Sequence, residues 1–492
     1  MSKNFAKVST IAFSGIEASK VDVQVHIGPG LPFFTIVGLP DKSIGEAKER
    51  IRAVFNTIGL NLPAKRITIN MSPASLQKEG SHYDLPIAIG LLVAMEVIPQ
   101  DAVENWIIIG ELALDGKLQR VPGALLAAMY ANSQEMDGHG MALVCPFDSG
   151  PEARLASNQM QILAPKHILE ILSFVKGEHQ IASDFKPVIE KTEYSVDLSD
   201  IKGQKVAKRA MEIAAAGGFH ILMIGPPGVG KSMLAKRMPT ILPELTLVQA
   251  LEVTMIYSVA NQLTNYVMKR KRPYRDPHHS ASLVALVGGG QKAMPGEISL
   301  AHNGVLFLDE LAEYSKAIEG LRQSMESGQV TISRAQNHVT YPARAQIIAA
   351  MNPCKCGYLG TAKGCARGPN CAKEYQSRIS GPIMDRFDLV VYMDNVEVGE
   401  LNNPIEISEN SDAVRSRVES AIEFHNKHFL VPIDQLKLEQ MLMQDEAKAM
   451  LSECAQKHNM SMRGIAKIAK VGYCEFVCED SYAYCRSFDV SH

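Results

Sequence analysis

The chain has 492 residues, enough for about three domains at roughly 150 residues each. Its 46% hydrophobic and 21% charged residues match folded protein and exclude a disordered or collagen-like chain. Fifty Lys and Arg against 53 Asp and Glu leave a formal charge of -3, so any surface for nucleic acid has to be a local patch.

The N-terminal stretch contains no apolar run of signal-peptide length, and the most apolar segment, Leu85 to Ile98, is too short to cross a bilayer. A cytoplasmic protein with no membrane partner is expected. Residues 1–175 alternate predicted strands, such as Val21 to Ile27 and Arg66 to Asn70, with predicted helices, such as Ser43 to Thr57 and Leu85 to Met95. This pattern describes a mixed α and β domain. Residues 176–197 lose apolar periodicity and read as a linker. A helix from Gln204 to Gly217, a strand from His220 to Ile224, a glycine-rich turn and a helix from Met233 to Met238 then open a parallel α/β unit covering 198–400. Residues 401–492 turn helical, with predicted helices from Ser411 to His428 and from Asp434 to His458.

The turn Gly225-Pro226-Pro227-Gly228-Val229-Gly230-Lys231-Ser232 fits the phosphate-loop pattern and stands between an apolar strand and a helix, where the mechanism requires it. Its glycines let backbone N–H groups curl around phosphates, Lys231 reaches the β- and γ-phosphates, and the Ser232 hydroxyl suits Mg²⁺. ATP and Mg²⁺ are the expected cofactors. The apolar strand Gly304 to Leu308 ends in Asp309 and Glu310, the first suited to the metal ion and the second to activating water. A third strand, Gln346 to Met351, ends in Asn352, a polar group that could hold the attacking water or touch the γ-phosphate. Arg386, before the strand Leu389 to Met393, suits an arginine finger reaching a neighbouring subunit, although spacing alone favours an ion pair with Asp385 or Asp388.

Cys354-x-Cys356-x8-Cys365-x5-Cys371, broken by Gly357, Gly360, Gly364 and Gly368, places four thiols in a loop (353–372) short enough to close around one ion. Four thiolates suit structural Zn²⁺, with an unliganded loop and, behind it, an iron–sulfur cluster as the alternatives. His278 and His279, adjacent on an extended segment, are expected to point opposite ways and to chelate poorly. The run Lys269 to Arg272, with Tyr274 and Arg275, is an electropositive candidate for DNA and equally a solvated face.

Taken together, the segments Asp200-Ile-Lys-Gly-Gln204, Gly225 to Ser232, Pro277-His-His-Ser280, Pro295 to Leu311, Glu326 to Ala335, Ala349 to Gly360 and Ser377 to Leu389 resemble the ComM/YifB family of magnesium-chelatase-like AAA+ ATPases. The resemblance implies a P-loop AAA+ core with a C-terminal helical lid, working as a homo-oligomeric ring, usually a hexamer, with active sites between subunits. It implies that Asn352 is the sensor-1 residue, Arg386 the finger and Arg463 the sensor-2 residue, and that Ile201 to Gln204 border the adenine. It also implies channel-facing elements: Gly288-Gly289-Gly290 with Lys292, and a hairpin from Val330 to Arg344 carrying Arg334, Asn337 and His338. The function implied is a DNA motor, a helicase promoting branch migration on single-stranded and branched DNA during homologous recombination in natural transformation. The alternative is a metal-insertion or protein-remodelling ATPase like magnesium chelatase.

Residues 1–175 resemble the Lon-protease-like, ribosomal-S5-type α+β domain of the same family, through Gly110 to Ala128 and Lys78 to Ala88. Asp84 and Leu125 stand where that resemblance places the serine and lysine, so no peptidase activity is expected. From Val471 the chain departs from the family pattern, with three Cys and five aromatics in 22 residues. The expectation there is a non-helical, out-of-frame ending that puts Arg463 in doubt, with a second zinc site at Cys474, Cys478 and Cys485 as the alternative.

Overall fold

The computed structural model describes residues 4–136, 139–190, 192–263, 267–290, 293–333, 338–359, 364–365, 367–395, 409–441 and 445–480. Lys292, Arg334, Asn337, Gly360 and Cys485, each named above, lie outside the described residues.

The N-terminal half is built on a seven-stranded sheet in the spatial order Ile162–Leu163, Ala142–Val144, Trp106–Ile108, Phe5–Ser14, Glu17–Gly28, Arg66–Ser72, Phe33–Val37. The long hairpin at its centre pairs Phe5–Ser14 with Glu17–Gly28 antiparallel, and strict alternation sends Val21, Val23, Val25 and Ile27 into one core. The helix Asp84–Ala94 packs there with every residue buried, which explains why it reads as an apolar run without a stripe.

The second half holds a five-stranded, wholly parallel sheet in the order Tyr274–Arg275, Val305–Leu308, Gln346–Met351, Ile221–Ile224, Leu389–Tyr392. Both of its faces are covered. Ile221, Met223, Val305, Phe307, Ile348 and Ala350 pack with the helices Lys205–Gly217, Lys231–Ile241, Ser411–His428 and Met462–Asp480. Leu222, Ile224, Leu306, Leu308, Ile347 and Ala349 pack on the other side, with Leu286, Leu321 and Ile383. Double burial of a parallel sheet is why these strands read as continuous apolar runs.

The two halves are joined by packing and by a buried polar link. Leu125 and Leu155 pack with Leu245, Ala250 and Val253. Glu152, fully buried, accepts from Ser258 Oγ at 2.5 Å and from the Leu125 N–H at 3.2 Å, and pairs with Arg120. Gly15, at the tip of the long hairpin, lies so close to Thr340 and Val339 that a Cβ would meet them at 3.0 and 2.9 Å.

Several expectations change here. Within 176–197, Val188–Ile189 pairs in parallel with Val267–Met268, so this segment contributes a strand. Asp434 to His458 is not one helix: 3-10 turns at Ile433–Gln435 and Leu438–Gln440 precede the helix Asp445–Lys457. Buried Ile433, Leu436 and Met441 are spaced for turns and not for one helical face. The C-terminal helix Met462–Asp480 continues ten residues past Lys470, overturning the non-helical reading as far as Asp480. Ala469, Cys474, Val477 and Cys478 form its buried stripe, and Cys474 donates its S–H to the carbonyl of Ile213 at 3.3 Å. Cysteine is here a small apolar residue, which the ligand reading overlooked.

Candidate active site

Three parallel strands deliver the site at their carboxyl ends. One of them, Ile221–Ile224, runs into the turn Gly225 to Gly230, and the helix Lys231–Ile241 follows. Gly225 is required by close approach, since a Cβ would meet the Met393 carbonyl at 2.5 Å. Gly230 caps the helix at a φ of 96°, where a side chain is strained. Beside Ile221–Ile224, the strand Gln346–Met351 ends in Asn352, and the next one over, Val305–Leu308, ends in Asp309.

Lys231 Nζ donates to the carbonyls of Gly225 (2.6 Å) and Pro226 (2.9 Å) and to Asn352 Oδ1 (3.2 Å). Burial holds its pKa below the ordinary lysine value, and Asp309 partly offsets that. Ser232 Oγ donates to Asp309 Oδ2 at 2.8 Å, so a hydroxyl and a carboxylate share one point. Two such hard oxygen donors fit Mg²⁺, which needs few protein ligands when a phosphate supplies the rest. The Gln204 side chain bridges the carbonyls of Val229 (3.4 Å) and Asp394 (2.8 Å), tying the segment Ile201 to Gln204 to the phosphate loop.

Glu310 adopts a φ of 54°, a left-handed conformation uncommon for a side-chain-bearing residue. His279 Nδ1 lies 3.0 Å from Glu310 Oε2, a pairing the sequence reading missed. His278 and His279 do not point opposite ways: their rings lie 4.1 Å apart. Only tertiary folding brings the segment Asp276 to Ser280 against the strand end, and no sequence spacing signals it.

The thiols of Cys354, Cys356, Cys365 and Cys371 lie within 4.8 Å of one another. A tetrahedral zinc site with bonds of about 2.3 Å has sulfur separations of roughly 3.8 Å, so the set, in which Cys356 lies 3.2 Å from Cys354 and 3.4 Å from Cys365, fits one ion after small shifts of the sulfurs. Burial opposes ionisation of Cys354, but hydrogen bonds from Cys356 and nearby backbone outweigh it and bring its pKa to about 7. The loop rests on the nucleotide elements, because a Cβ on Gly357 would meet Pro227 Cδ at 2.8 Å and Asn352 Cγ at 3.9 Å.

Arg386 and Arg463 are not joined to the Lys231–Asp309 cluster. Both converge on Glu326. The pairing with Asp385 or Asp388 is thereby replaced, and Asp388 instead accepts from the His220 N–H at 2.9 Å. The basic run is neutralised within the chain: Lys269 meets Glu190, Arg270 meets Glu244 and Arg275 grips Glu297 with two nitrogens. Arg272 is half-buried and donates to the carbonyls of Pro243 and Asn303, and loss of solvent around it lowers its pKa to about 10. His338, on the strand His338–Pro342 paired with Gln329–Ser333, is exposed near the hairpin end.

In the N-terminal half, Asp84 is buried and held by Arg50 Nε at 2.7 Å, while Leu125 is buried against the second half. Neither position offers a nucleophile or an amine base.

A parallel sheet with a phosphate loop at the end of one of its interior strands, a Ser–Asp pair and a strand-end Asn define a P-loop nucleotide-binding fold of the AAA+ type. Comparison with known proteins agrees. Residues 197–401 match the family described as magnesium chelatase, subunit ChlI, and residues 23–147 match the one described as subunit ChlI of Mg-chelatase. The chain is 41% identical over 470 residues to "Uncharacterized protein YifB" of Escherichia coli, covering 94% of this chain and 91% of that protein. It is 41% identical over 422 residues to "Competence protein ComM" of Haemophilus influenzae, covering 84% and 81%. A more distant relative is the "Magnesium-chelatase 38 kDa subunit" of Rhodobacter capsulatus, 29% identical over 182 residues, or 33% of this chain and 52% of that one. The chain belongs to the ComM/YifB family of magnesium-chelatase-like AAA+ proteins, whose members use ATP and Mg²⁺.

Proposed function

We propose that the protein is an ATP-hydrolysing ring motor on DNA, a helicase that drives branch migration as incoming single strands recombine in natural transformation. The observation that carries the ATPase reading is the convergence of Lys231, Ser232, Asp309 and Asn352 beside Glu310. Lys231 and the loop from Gly225 to Ser232 bind the phosphates, and Ser232 and Asp309 hold Mg²⁺. Glu310 takes a proton from the attacking water, and Asn352 holds that water or the γ-phosphate. Arg386 completes the site of a neighbouring subunit, and Arg463 acts from the lid. The oligomer is a homohexamer in the cytoplasm; among the described residues no helix is long and apolar enough to cross a membrane.

The four thiolates hold a structural Zn²⁺, and the N-terminal half is an inactive Lon-like module that serves assembly. The DNA assignment is supported by the relative named for competence and by the hairpin Gln329–Ser333 with His338–Pro342. The second reading, a metal-insertion or remodelling ATPase, is favoured by the magnesium-chelatase family match. ATP turnover with single-stranded, duplex and branched DNA decides between them. Stimulation by branched or single-stranded DNA is expected, and Glu310-dependent turnover indifferent to every DNA would establish the second reading.

A further inference from the structure

Away from the phosphate loop, two arginines from distant parts of the chain meet one carboxylate. Arg386 follows the short helix Gly381–Met384, and its terminal nitrogen pairs with Glu326 Oε1. Arg463, in the first turn of the helix Met462–Asp480, places a terminal nitrogen 4.0 Å from the same oxygen. The environments are unequal. The Arg386 side chain is 5% exposed and that of Glu326 is 51% exposed. Among the described residues no acceptor meets the Arg386 Nε, so a buried guanidinium has one donor without a partner. A buried, under-satisfied donor is an unstable arrangement unless a further acceptor is offered. The arginine is held in place by packing, whereas the carboxylate is free to swing into water.

Glu326 also sits at a mechanically connected place. It lies in the last turn of the helix Leu321–Ser327, which passes through Gly328 at a φ of 65° directly into the strand Gln329–Ser333 of the hairpin. A shift of that hairpin along its axis therefore carries Glu326 with it.

We propose that Glu326 is a positioning residue that stands in for a phosphoryl anion. It holds Arg386 and Arg463 in reserve inside a subunit and releases them when the hairpin moves and a neighbouring subunit presents a nucleotide. Carboxylate and phosphoryl oxygens compete for the same planar donors, and a phosphate with several anionic oxygens satisfies the unpartnered Nε as well. The result is a brake: turnover without a hairpin ligand is held down by the in-chain ion pair. This inference rests on the reading of Arg386 as a residue that completes a neighbouring site.

The test is Glu326→Gln, which keeps size and hydrogen bonding but removes the charge. Turnover is measured with and without single-stranded DNA across a range of subunit concentrations, with kcat and KM resolved and the melting temperature recorded. The expected result is a basal kcat raised about threefold or more, a KM for ATP within twofold, and a DNA stimulation ratio reduced by the same factor as the basal rise. Glu326→Asp should restore low basal turnover. Unchanged basal turnover in Glu326→Gln overturns the proposal, as does loss of turnover together with a lowered melting temperature, which is the signature of a structural ion pair. Mixing Arg386→Ala with Glu310→Gln subunits separates the two layers. Recovered turnover in the mixture places the arginine across an interface, so that a failure of Glu326→Gln then counts against Glu326 alone. No recovery removes the reading beneath the proposal and the proposal with it.

Discussion

Each half of the chain contains a glycine-bearing turn that leads into a helix and gathers charged side chains, and the two have been completed in opposite ways. In the turn from Lys78 to Asp84 the buried carboxylate is closed by an arginine of the chain itself, while Lys78, like Lys231, rests on a neutral carbonyl. Lys78 is fully buried on the Pro73 carbonyl, Ser81 donates to Glu111, and Asp84 takes two nitrogens of Arg50 at 2.7 and 2.9 Å. In the turn from Gly225 to Ser232 the partners are replaceable. Lys231 rests on neutral carbonyls, the Ser232 hydroxyl shares Asp309, and half-exposed Glu310 meets a half-exposed histidine. A phosphate or a metal ion displaces a carbonyl or a hydroxyl contact readily, whereas no ligand displaces a bidentate arginine from a buried carboxylate. Chemical competence follows from polar groups whose partners can be exchanged, and the N-terminal half has given its exchangeable positions to structure.

The largest test of this contrast is Glu310→Gln. Turnover is expected to fall by about 100-fold or more, as for loss of a general base, while a fluorescent ATP analogue still binds. Equal loss of binding would mean that Glu310 holds nucleotide. Next, Arg50→Ala strands the Asp84 carboxylate, and about 3–5 kcal/mol of stability should be lost in urea unfolding. ATP affinity should stay within twofold, and a larger change would show that the halves do not work separately.

A third test uses pH. Burial holds His82 neutral, with its pKa lowered to about 4, while the unfolded chain has the ordinary value near 6.5. Between those values the unfolded state binds more protons, so stability is fully present above about pH 6.5 and is lost as pH falls towards 4, by up to about 3 kcal/mol. Urea midpoints across that window measure it, and His82→Asn should flatten the slope. The smallest effect is expected of Gly357→Ala, at a φ of 79° and against Pro227. About 1 kcal/mol of backbone strain would weaken nucleotide binding roughly fivefold without loss of zinc. Zinc content and analogue titration on one sample check both halves of that statement.

Much of the site was legible because its signals are local. Phosphate binding needs glycine, lysine and hydroxyl at fixed offsets, and a parallel strand buried on both faces announces itself as an apolar run ending in a polar residue, as at Asp309 and Asn352. The Cys loop was legible for the same reason, since Cys354 to Cys371 span only a short segment. What failed to show was whatever depended on distant partners. The basic run at Lys269 looked available until Glu190, Glu244 and Glu297 were folded against it. The helix beyond Lys470 was hidden because its Cys and aromatic residues were read as lacking a helical period, while folding uses Cys474 and Cys478 as packing against Ile213 and its neighbours.

The sequence by itself therefore determined the two αβ layers, the phosphate loop, its acidic partner strand and the thiol set, because each is written in residues a few positions apart. Only the tertiary structure decided that His279 meets Glu310, that Leu125 is an interface residue, and that Arg386 and Arg463 share Glu326. Those contacts join residues separated by tens to hundreds of positions, and pair charges whose choice of partner depends on which surfaces the hydrophobic cores bring together. Periodicity and spacing record how a segment folds; they do not record which opposite charge it will find there.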